Sequence, residues 1–143
     1  MRWRHPVPFG LIVALNFVST AAAGADVSAR GAWIRDAPPG VSVMAGYMEL
    51  RNHTSRPQHL VAASSSGFET VMLHRSIAKD GMAGMAHAAQ VVLAPNGTLN
   101  FAPGGLHLML MNPKRALRAG EPVVINLEFR GGLVLPVAFE VRR

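Results

Sequence analysis

Short stretches in which hydrophobic and polar residues alternate recur along most of the chain, and glycine and proline separate them. The clearest is LHLMLM at Leu106–Met111, where three leucines alternate with one histidine and two methionines. Successive side chains of a strand point to opposite faces, so this stretch predicts a strand with one leucine face and one His/Met face. The leucine face is typical of a hydrophobic core. The opposite face carries neither charged nor aliphatic side chains, which is unusual for the surface of a strand.

Similar alternation predicts a strand in most intervals between turns. The predicted strands cover residues 29–37, 42–52, 58–66, 69–75, 90–94, 98–102, 106–111, 122–130 and 133–141. Asn96-Gly97 is predicted to join two of them as a hairpin, and Gly131-Gly132 to join the last two. Residues 76–90 are interpreted as a loop around the turn dipeptide Asp80-Gly81. Eight or nine short strands without a convincing helix predict a single all-β domain, either a Greek-key β-sandwich or a barrel.

Residues 1–25 predict a secretory signal peptide rather than part of the fold. A basic start precedes an apolar run from about Phe9 to Val18, and small residues end it. Ala23-Gly24-Ala25 is an A-x-A cleavage signal, so the mature domain is expected to cover residues 26–143, with 21–23 as a second cleavage site. The apolar run is shorter than the roughly 20 residues of a membrane span. We therefore predict export without stable membrane insertion.

The composition excludes several kinds of site. The chain of 143 residues is half apolar and contains no cysteine, which excludes disulfides, thiolate zinc sites, cysteine nucleophiles and blue-copper centres. The formal net charge is +6, but the basic residues are scattered, and their densest group, Lys114-Arg115 with Arg118, is interpreted as a solvated turn. Nucleic-acid binding is not expected of an exported chain that lacks aromatic residues between its basic ones.

A second predicted strand also has one aliphatic face and one His/Met face. In residues 69–75, Val71 and Leu73 share one face, and Met72 and His74 share the other. Methionine on a strand most often packs in a core, and a single histidine is more often a surface residue than a ligand. A His/Met face on two separate strands weakens that interpretation and favours a metal site. Two other methionines, Met44 and Met48, are interpreted as core residues. Two other histidines, His53 and His59, are interpreted as residues in or beside a polar turn.

The loop predicted between these two strands adds the soft donors Met82 and Met85, together with His87. It contains few bulky apolar residues, so its thioethers are expected to be accessible to solvent. Thioether and imidazole ligands suit Cu(I), whereas magnesium and calcium require oxygen ligands. The nearby acids are Glu69 and Asp80, and the turn already explains Asp80. The donors therefore indicate a soft, uncharged copper site.

Four of these residues, His74, Met85, His107 and Met109, have the spacing H-x10-M-x21-H-x-M. This spacing resembles the signature of the periplasmic copper chaperones called PCu(A)C. The segments AWIRDAPPG, GYMELRN, KDGMAGM and PGGLHLMLMNPKRALRAGEPV are also similar to that family, and the likeness extends from about Ala32 to Val141. The resemblance implies a small cupredoxin-like or immunoglobulin-like β-barrel, with the four residues as ligands of one Cu(I) per chain.

The resemblance also implies a role. PCu(A)C proteins carry Cu(I) in the periplasm and help to load the Cu(A) centre of cytochrome c oxidase, often alongside Sco proteins. The expected partners are therefore the copper ion, cytochrome c oxidase subunit II and Sco-type proteins. Some relatives have a His/Met-rich C-terminal tail with a Cu(II) site, whereas this chain ends in FEVRR, so the resemblance gives no support for a Cu(II) site. Met111 is expected to flank the site. Met72 and Met82 are interpreted as packing at its rim, with reserve thioethers as the alternative, and His87 has no assigned role.

Two other classes of function remain open at the level of the sequence. A periplasmic copper storage or resistance protein would use the same site without a dedicated recipient. An exported β-sandwich interaction module would bind no metal. An enzyme is not expected, because nothing supplies a general base or a second redox centre, and four protein ligands leave no open coordination position.

Overall fold

Residues 25–143, the part of the chain described by a computed structural model, form ten β-strands and no helix. Apart from Ala25, the predicted signal peptide lies outside the described residues. The strands are β1 (Val27–Arg35), β2 (Val43–Asn52), β3 (Gln58–Ser64), β4 (Phe68–Lys79), β5 (Met82–His87), β6 (Val91–Leu93), β7 (Thr98–Phe101), β8 (Leu106–Pro113), β9 (Pro122–Phe129) and β10 (Val134–Arg142). A helix long and apolar enough to span a bilayer is not found among residues 25–143.

The strands form a closed barrel. Their hydrogen-bonded order is β5-β4-β8-β7-β2-β1-β10-β9-β3-β6. A further pairing between β3 and β4, at Ala63 and Val71, closes the ring and leaves β5 and β6 attached outside it. The first strand pairs in parallel with the last one, so both ends of the described chain are held in the sheet. The predicted all-β class and small barrel are confirmed.

Alternate residues of the strands fill the interior of the barrel. The three leucines of β8 are buried, and Leu108 at their centre is 0% exposed. The leucine face is therefore the core face, as predicted. Met44 and Met48 also belong to the core cluster, which confirms the plainer role assigned to them. The His/Met face of β8 consequently lies on the outside of the barrel.

One polar side chain is completely buried at the end of β2. Asn52 is 0% exposed. Its Nδ2 donates to the carbonyl oxygens of Arg56 at 2.7 Å and Ala94 at 3.1 Å. Its Oδ1 accepts from the backbone N–H of Thr54 at 2.9 Å and from the Thr54 hydroxyl at 2.8 Å. Both ends of the amide are thus satisfied, and Asn52 ties the turn after β2 to the segment after β6.

The prediction of a loop at residues 76–90 is wrong, because most of that stretch forms a β-hairpin. β4 continues to Lys79, and β5 begins at Met82. Asp80 and Gly81 form the turn with φ angles of 51° and 74°. A two-residue turn with positive φ at both positions matches the twist of the flanking strands, so strand pairing continues on both sides of it.

The prediction of a hairpin around Asn96-Gly97 is also wrong. Both flanking strands exist, and Asn96 has the positive φ of a turn residue, 53°. However, β6 pairs with β3, whereas β7 pairs with β2 and β8. The turn therefore carries the chain from one part of the barrel to another. The hairpin predicted around Gly131-Gly132, between β9 and β10, does form.

Candidate metal centre

Three histidines lie in a row across three neighbouring strands on the outer face of the barrel. His74 on β4 is directly opposite His107 on β8 and His87 on β5. The ring centroid of His74 lies 6.0 Å from that of His107 and 5.8 Å from that of His87. The register of the strands thus brings the two predicted histidine ligands together, although they are distant in sequence.

The two predicted methionine ligands lie on either side of this row. Met109 follows His107 by two residues and is opposite Met72 on β4. Met85 precedes His87 by two residues and is opposite Ser76 on β4. Because alternate residues of a strand share a face, both methionines belong to the same outer face as the histidines.

A shallow cavity of about 290 Å³ is lined by three of the four predicted ligands, Met85, His107 and Met109. β4 separates β5 from β8, so the Met85 side chain must extend across β4 to reach this cavity. His74 is not among the lining residues. It lies directly opposite His107, which does line the cavity.

Three ring nitrogens on this face are buried and have no hydrogen-bond partner among the described residues: both nitrogens of His74, and Nε2 of His107. Buried polar atoms are nearly always paired, and an unpaired one requires an explanation such as a bound ion. His107 Nδ1 lies 3.1 Å from the carbonyl oxygen of Gly105. A carbonyl oxygen can only accept, so Nδ1 carries the proton and donates it. The lone pair of Nε2 is then available to a metal ion, as in most metal-binding histidines.

The surroundings of His74 favour the neutral form of its ring. Its pKa is lowered from the ordinary value of 6.5, first by desolvation and then by the nearby His107 and His87. Only a neutral imidazole can bind a metal ion. Desolvation, assisted by the two neighbouring histidines, therefore keeps His74 in its metal-binding form over a wider range of pH.

The donor set on this face is soft and carries no formal charge. As the side chains stand within residues 25–143, no three histidine, aspartate or glutamate groups are arranged around one point for a metal ion. The other donors of this face are thioethers, which suit Cu(I) and are poor ligands for hard cations.

Comparison with known proteins gives the family of the chain. Residues 27–141 match the LpqE-like family, described as "Putative lipoprotein LpqE-like". The chain belongs to the LpqE-like family. A relative from Leifsonia xyli subsp. xyli, "Putative lipoprotein Lxx21020", is 36% identical over 117 residues, which cover 81% of this chain and 69% of the relative.

Solved PCuAC domains share the fold of this LpqE-like protein. The copper-bound PCuAC domain from PmoF2 matches with a TM-score of 0.70 and 22% identity, over 84% of this chain and 95% of that domain. At this identity the likeness shows the fold alone. The solution structure of CuI-DR1885 from Deinococcus radiodurans matches with a TM-score of 0.67 and 35% identity, over 87% of this chain and 83% of that protein. The resemblance to the PCu(A)C family is confirmed by these matches.

The structure adds to this face three residues that the sequence did not indicate, and it gives a position to His87, which had no assigned role. Arg35, Asp36 and Tyr47 line the same cavity, and His87 completes the histidine row. The Asp36 carboxylate lies 3.7 Å from the guanidinium of Arg143. The guanidinium carbon of Arg35 lies 5.9 Å from the ring centroid of Tyr47. The wall of the cavity thus contains one basic and one acidic side chain.

The two acids that the sequence indicated as neighbours do not line this cavity. Glu69 lies at the start of β4 and accepts a hydrogen bond from Asn112 Nδ2 at 2.6 Å. Asp80 forms the tip of the hairpin. Asp36 is the carboxylate that lines the cavity instead. It is distant in sequence from the proposed ligands, and the fold brings it close to them.

The other methionines of this face have distinct positions. Met82 lies opposite Lys79 beside the hairpin turn and is 72% exposed, and Met85 is 61% exposed. The prediction that these thioethers are accessible to solvent is confirmed. Met72 is opposite Met109, and Met111 is opposite Thr70. Their roles at the rim of a metal site stay predictions.

Proposed function

We propose that this protein is a copper carrier that binds one Cu(I) ion through His74, Met85, His107 and Met109. The observation that carries the proposal is the pair of facing histidines with unpaired, buried ring nitrogens, flanked by two methionines. Imidazole and thioether ligands contribute no negative charge, so they favour a soft monovalent ion over Zn(II), Mg(II) or Ca(II). The copper named in two related structures, from PmoF2 and Deinococcus radiodurans, supports the same cargo.

A carrier has to release its ion as well as hold it, and the exposure of Met85 supports release. Met85 is 61% exposed on a strand outside the closed ring. A donor from a recipient protein can therefore replace Met85 before any buried bond is broken. A storage or resistance protein has less need of such an accessible ligand, so we prefer delivery over storage. No step of this function requires catalysis.

We propose further that the carrier works in the periplasm and delivers copper toward the Cu(A) centre of cytochrome c oxidase subunit II, together with Sco-type proteins. The predicted signal peptide supports export, and so does the description of the family and its Leifsonia relative as lipoproteins. The choice of recipient rests on the resemblance to the PCu(A)C chaperones.

An anaerobic titration of the purified protein with Cu(I), in competition with a chelator of known affinity, tests the binding. We expect one tightly bound ion per chain, and the absence of such binding would refute the proposal. A second experiment mixes the loaded protein with the metal-free Cu(A) domain of subunit II and measures transfer. In cells, a deletion that lowers oxidase activity at low copper supports delivery, whereas sensitivity to high copper alone supports storage.

A further inference from the structure

We infer that the same face holds a second, overlapping donor set, His74, His87 and His107, which binds Cu(II). The inference rests on the proposed function, because His74 and His107 belong to both sets. It assigns a role to His87, which lies outside the spacing that indicated the copper site.

The position of His87 is fixed by the hairpin. The backbone N–H of Ala88 donates to the carbonyl oxygen of Leu73 at 2.9 Å, so these two residues form a hydrogen-bonded pair. The adjacent pair, His74 and His87, is therefore a non-hydrogen-bonded pair, in which the Cα atoms lie about 4.5 Å apart and side chains approach closely. The two rings meet edge to face, at 73° and a centroid separation of 5.8 Å.

Each of the two neighbouring pairs of rings in this row is within reach of one metal ion. With metal–nitrogen bonds of about 2.0–2.1 Å, two imidazoles on one ion have centroids roughly 4.5–6 Å apart. The separations of 5.8 Å and 6.0 Å on the two sides of His74 lie at the upper end of that range. His87 and His107 lie on strands separated by β4, and the three rings do not converge on one point. Binding therefore requires the exposed His87 ring to rotate toward the other two.

The surroundings of the rings allow that rotation. His87 is exposed on β5, so it can change rotamer without displacing packed atoms. His107 is already oriented by its bond to the Gly105 carbonyl, which leaves Nε2 as the ligand atom. Both nitrogens of His74, in the middle of the row, lack a hydrogen-bond partner among the described residues.

The two donor sets favour different oxidation states of copper. Thioethers suit Cu(I), whereas Cu(II) prefers nitrogen and oxygen ligands in a tetragonal arrangement. Exchanging the thioethers of Met85 and Met109 for the imidazole of His87 thus changes the donor set from one that favours Cu(I) to one that favours Cu(II). For the same nitrogen ligands, Cu(II) also binds more tightly than Zn(II). A carrier with both sets retains copper in either oxidation state.

The test compares Cu(II) and Cu(I) binding in the same variants of the tag-free protein. Cu(II) is added as copper sulfate in an aerobic glycine-buffered solution, and pulsed EPR counts the bound imidazoles. We expect three imidazoles in the wild type and two in His87→Ala, with a loss of Cu(II) affinity of roughly 10–100-fold or more. Anaerobic competition at a pH well above 6.5, where the His74 ring is neutral in both proteins, should show an unchanged Cu(I) affinity in that variant. Met85→Leu should behave in the opposite way, losing Cu(I) affinity and keeping Cu(II) affinity.

His53→Ala is the matched control, because His53 is another exposed histidine, paired with the Ser28 hydroxyl at 2.7 Å. It should change neither affinity. An unchanged Cu(II) affinity in His87→Ala, or an equal loss of both ions, would overturn the inference and leave the proposed function standing. A wild-type protein that binds Cu(II) through His87 but takes up no Cu(I) would overturn the proposed function instead.

Discussion

The side chains of Met85 and His107 line one cavity, although β4 lies between their strands. Met85 is 61% exposed on a strand outside the closed ring, whereas His107 is 5% exposed. Packing and the hydrogen bond to Gly105 hold His107 in place. One proposed ligand is therefore fixed, and the other can leave without disturbing the barrel. This division is well suited to stepwise exchange of a metal ion with a recipient.

A bound metal ion should protect Met85, but not Met82, from oxidation. Both thioethers are exposed, so hydrogen peroxide should convert both to sulfoxides in the metal-free protein. Ag(I) replaces Cu(I) in this experiment because it is also soft and monovalent but does not catalyse peroxide chemistry. We expect Ag(I) to slow oxidation of Met85 and to leave Met82 unaffected, as measured by mass spectrometry of the peptides.

Met48 provides an internal control for that experiment. It is buried in the core, so it should stay unoxidised whether or not Ag(I) is present, and its oxidation would report unfolding. Equal protection of Met82 and Met85 would place both thioethers at the metal. Equal oxidation of the two would remove Met85 from the proposed ligand set.

Substitutions on the two faces of β8 should separate metal binding from stability. His107→Ala and Met109→Leu remove donor atoms from the outer face, so Cu(I) affinity should fall sharply while the fold persists. Leu108→Ala removes a side chain that is 0% exposed in the core, and it should lower the free energy of unfolding by about 2–5 kcal/mol. Chelator competition and urea unfolding measure the two effects. Unchanged Cu(I) affinity in both outer-face variants would exclude this site.

The buried amide of Asn52 should matter for stability alone. Asn52→Ala removes the partner of the Thr54 backbone N–H and of the Arg56 and Ala94 carbonyl oxygens. Each buried group that loses its partner costs about 1–3 kcal/mol, so the free energy of unfolding should drop by at least that amount. Cu(I) affinity of the folded fraction should match that of the wild type. A stability within 0.5 kcal/mol of the wild type, roughly the range of ordinary surface substitutions, would show that water replaces the lost partners.

The faces of β4 and β8 could be predicted from sequence because alternation is a local property. Leu108 and His107 are neighbours in the chain, and the pleat alone sends them to opposite faces. The pairing of His74 with His87 could also have been predicted from the sequence. Counting back from a two-residue Asp80-Gly81 turn gives that register directly, but the interpretation of residues 76–90 as a loop concealed it.

Other features of the site depend on contacts between distant parts of the chain. Asp36 and Arg35 reach the cavity because β1 lies beside β2, which in turn pairs with β8. No local pattern marks either residue as part of the site. The failed hairpin at Asn96-Gly97 has a similar cause. The turn dipeptide determines the local direction of the chain, whereas the partners of β6 and β7 are determined by the barrel.

Copper affinity should depend on pH through the two histidines and not through the two methionines. A thioether gains no proton in this range, whereas an imidazole has an ordinary pKa near 6.5 and binds metal only when neutral. Affinity should therefore fall as the pH drops from about 7 to 5, with a limiting slope near two protons per copper if both His74 and His107 are ligands. Because the pKa of His74 lies below 6.5, its share of the loss should begin at a lower pH. The metal-free fold should also be more stable above pH 6.5 and lose the contribution of neutral His74 as the pH falls through that lowered pKa.

The variant His74→Met isolates the contribution of that residue. It replaces a titrating donor by a soft donor that does not titrate, so the limiting slope should fall toward one proton per copper. Binding should survive and should be weakened more at pH 7 than at pH 5, since acid no longer competes at position 74. A series of chelator competitions across this pH range, under reducing conditions, measures both proteins. If the two slopes are the same, His74 does not bind the copper ion, and the first half of the spacing H-x10-M-x21-H-x-M has no functional meaning in this chain.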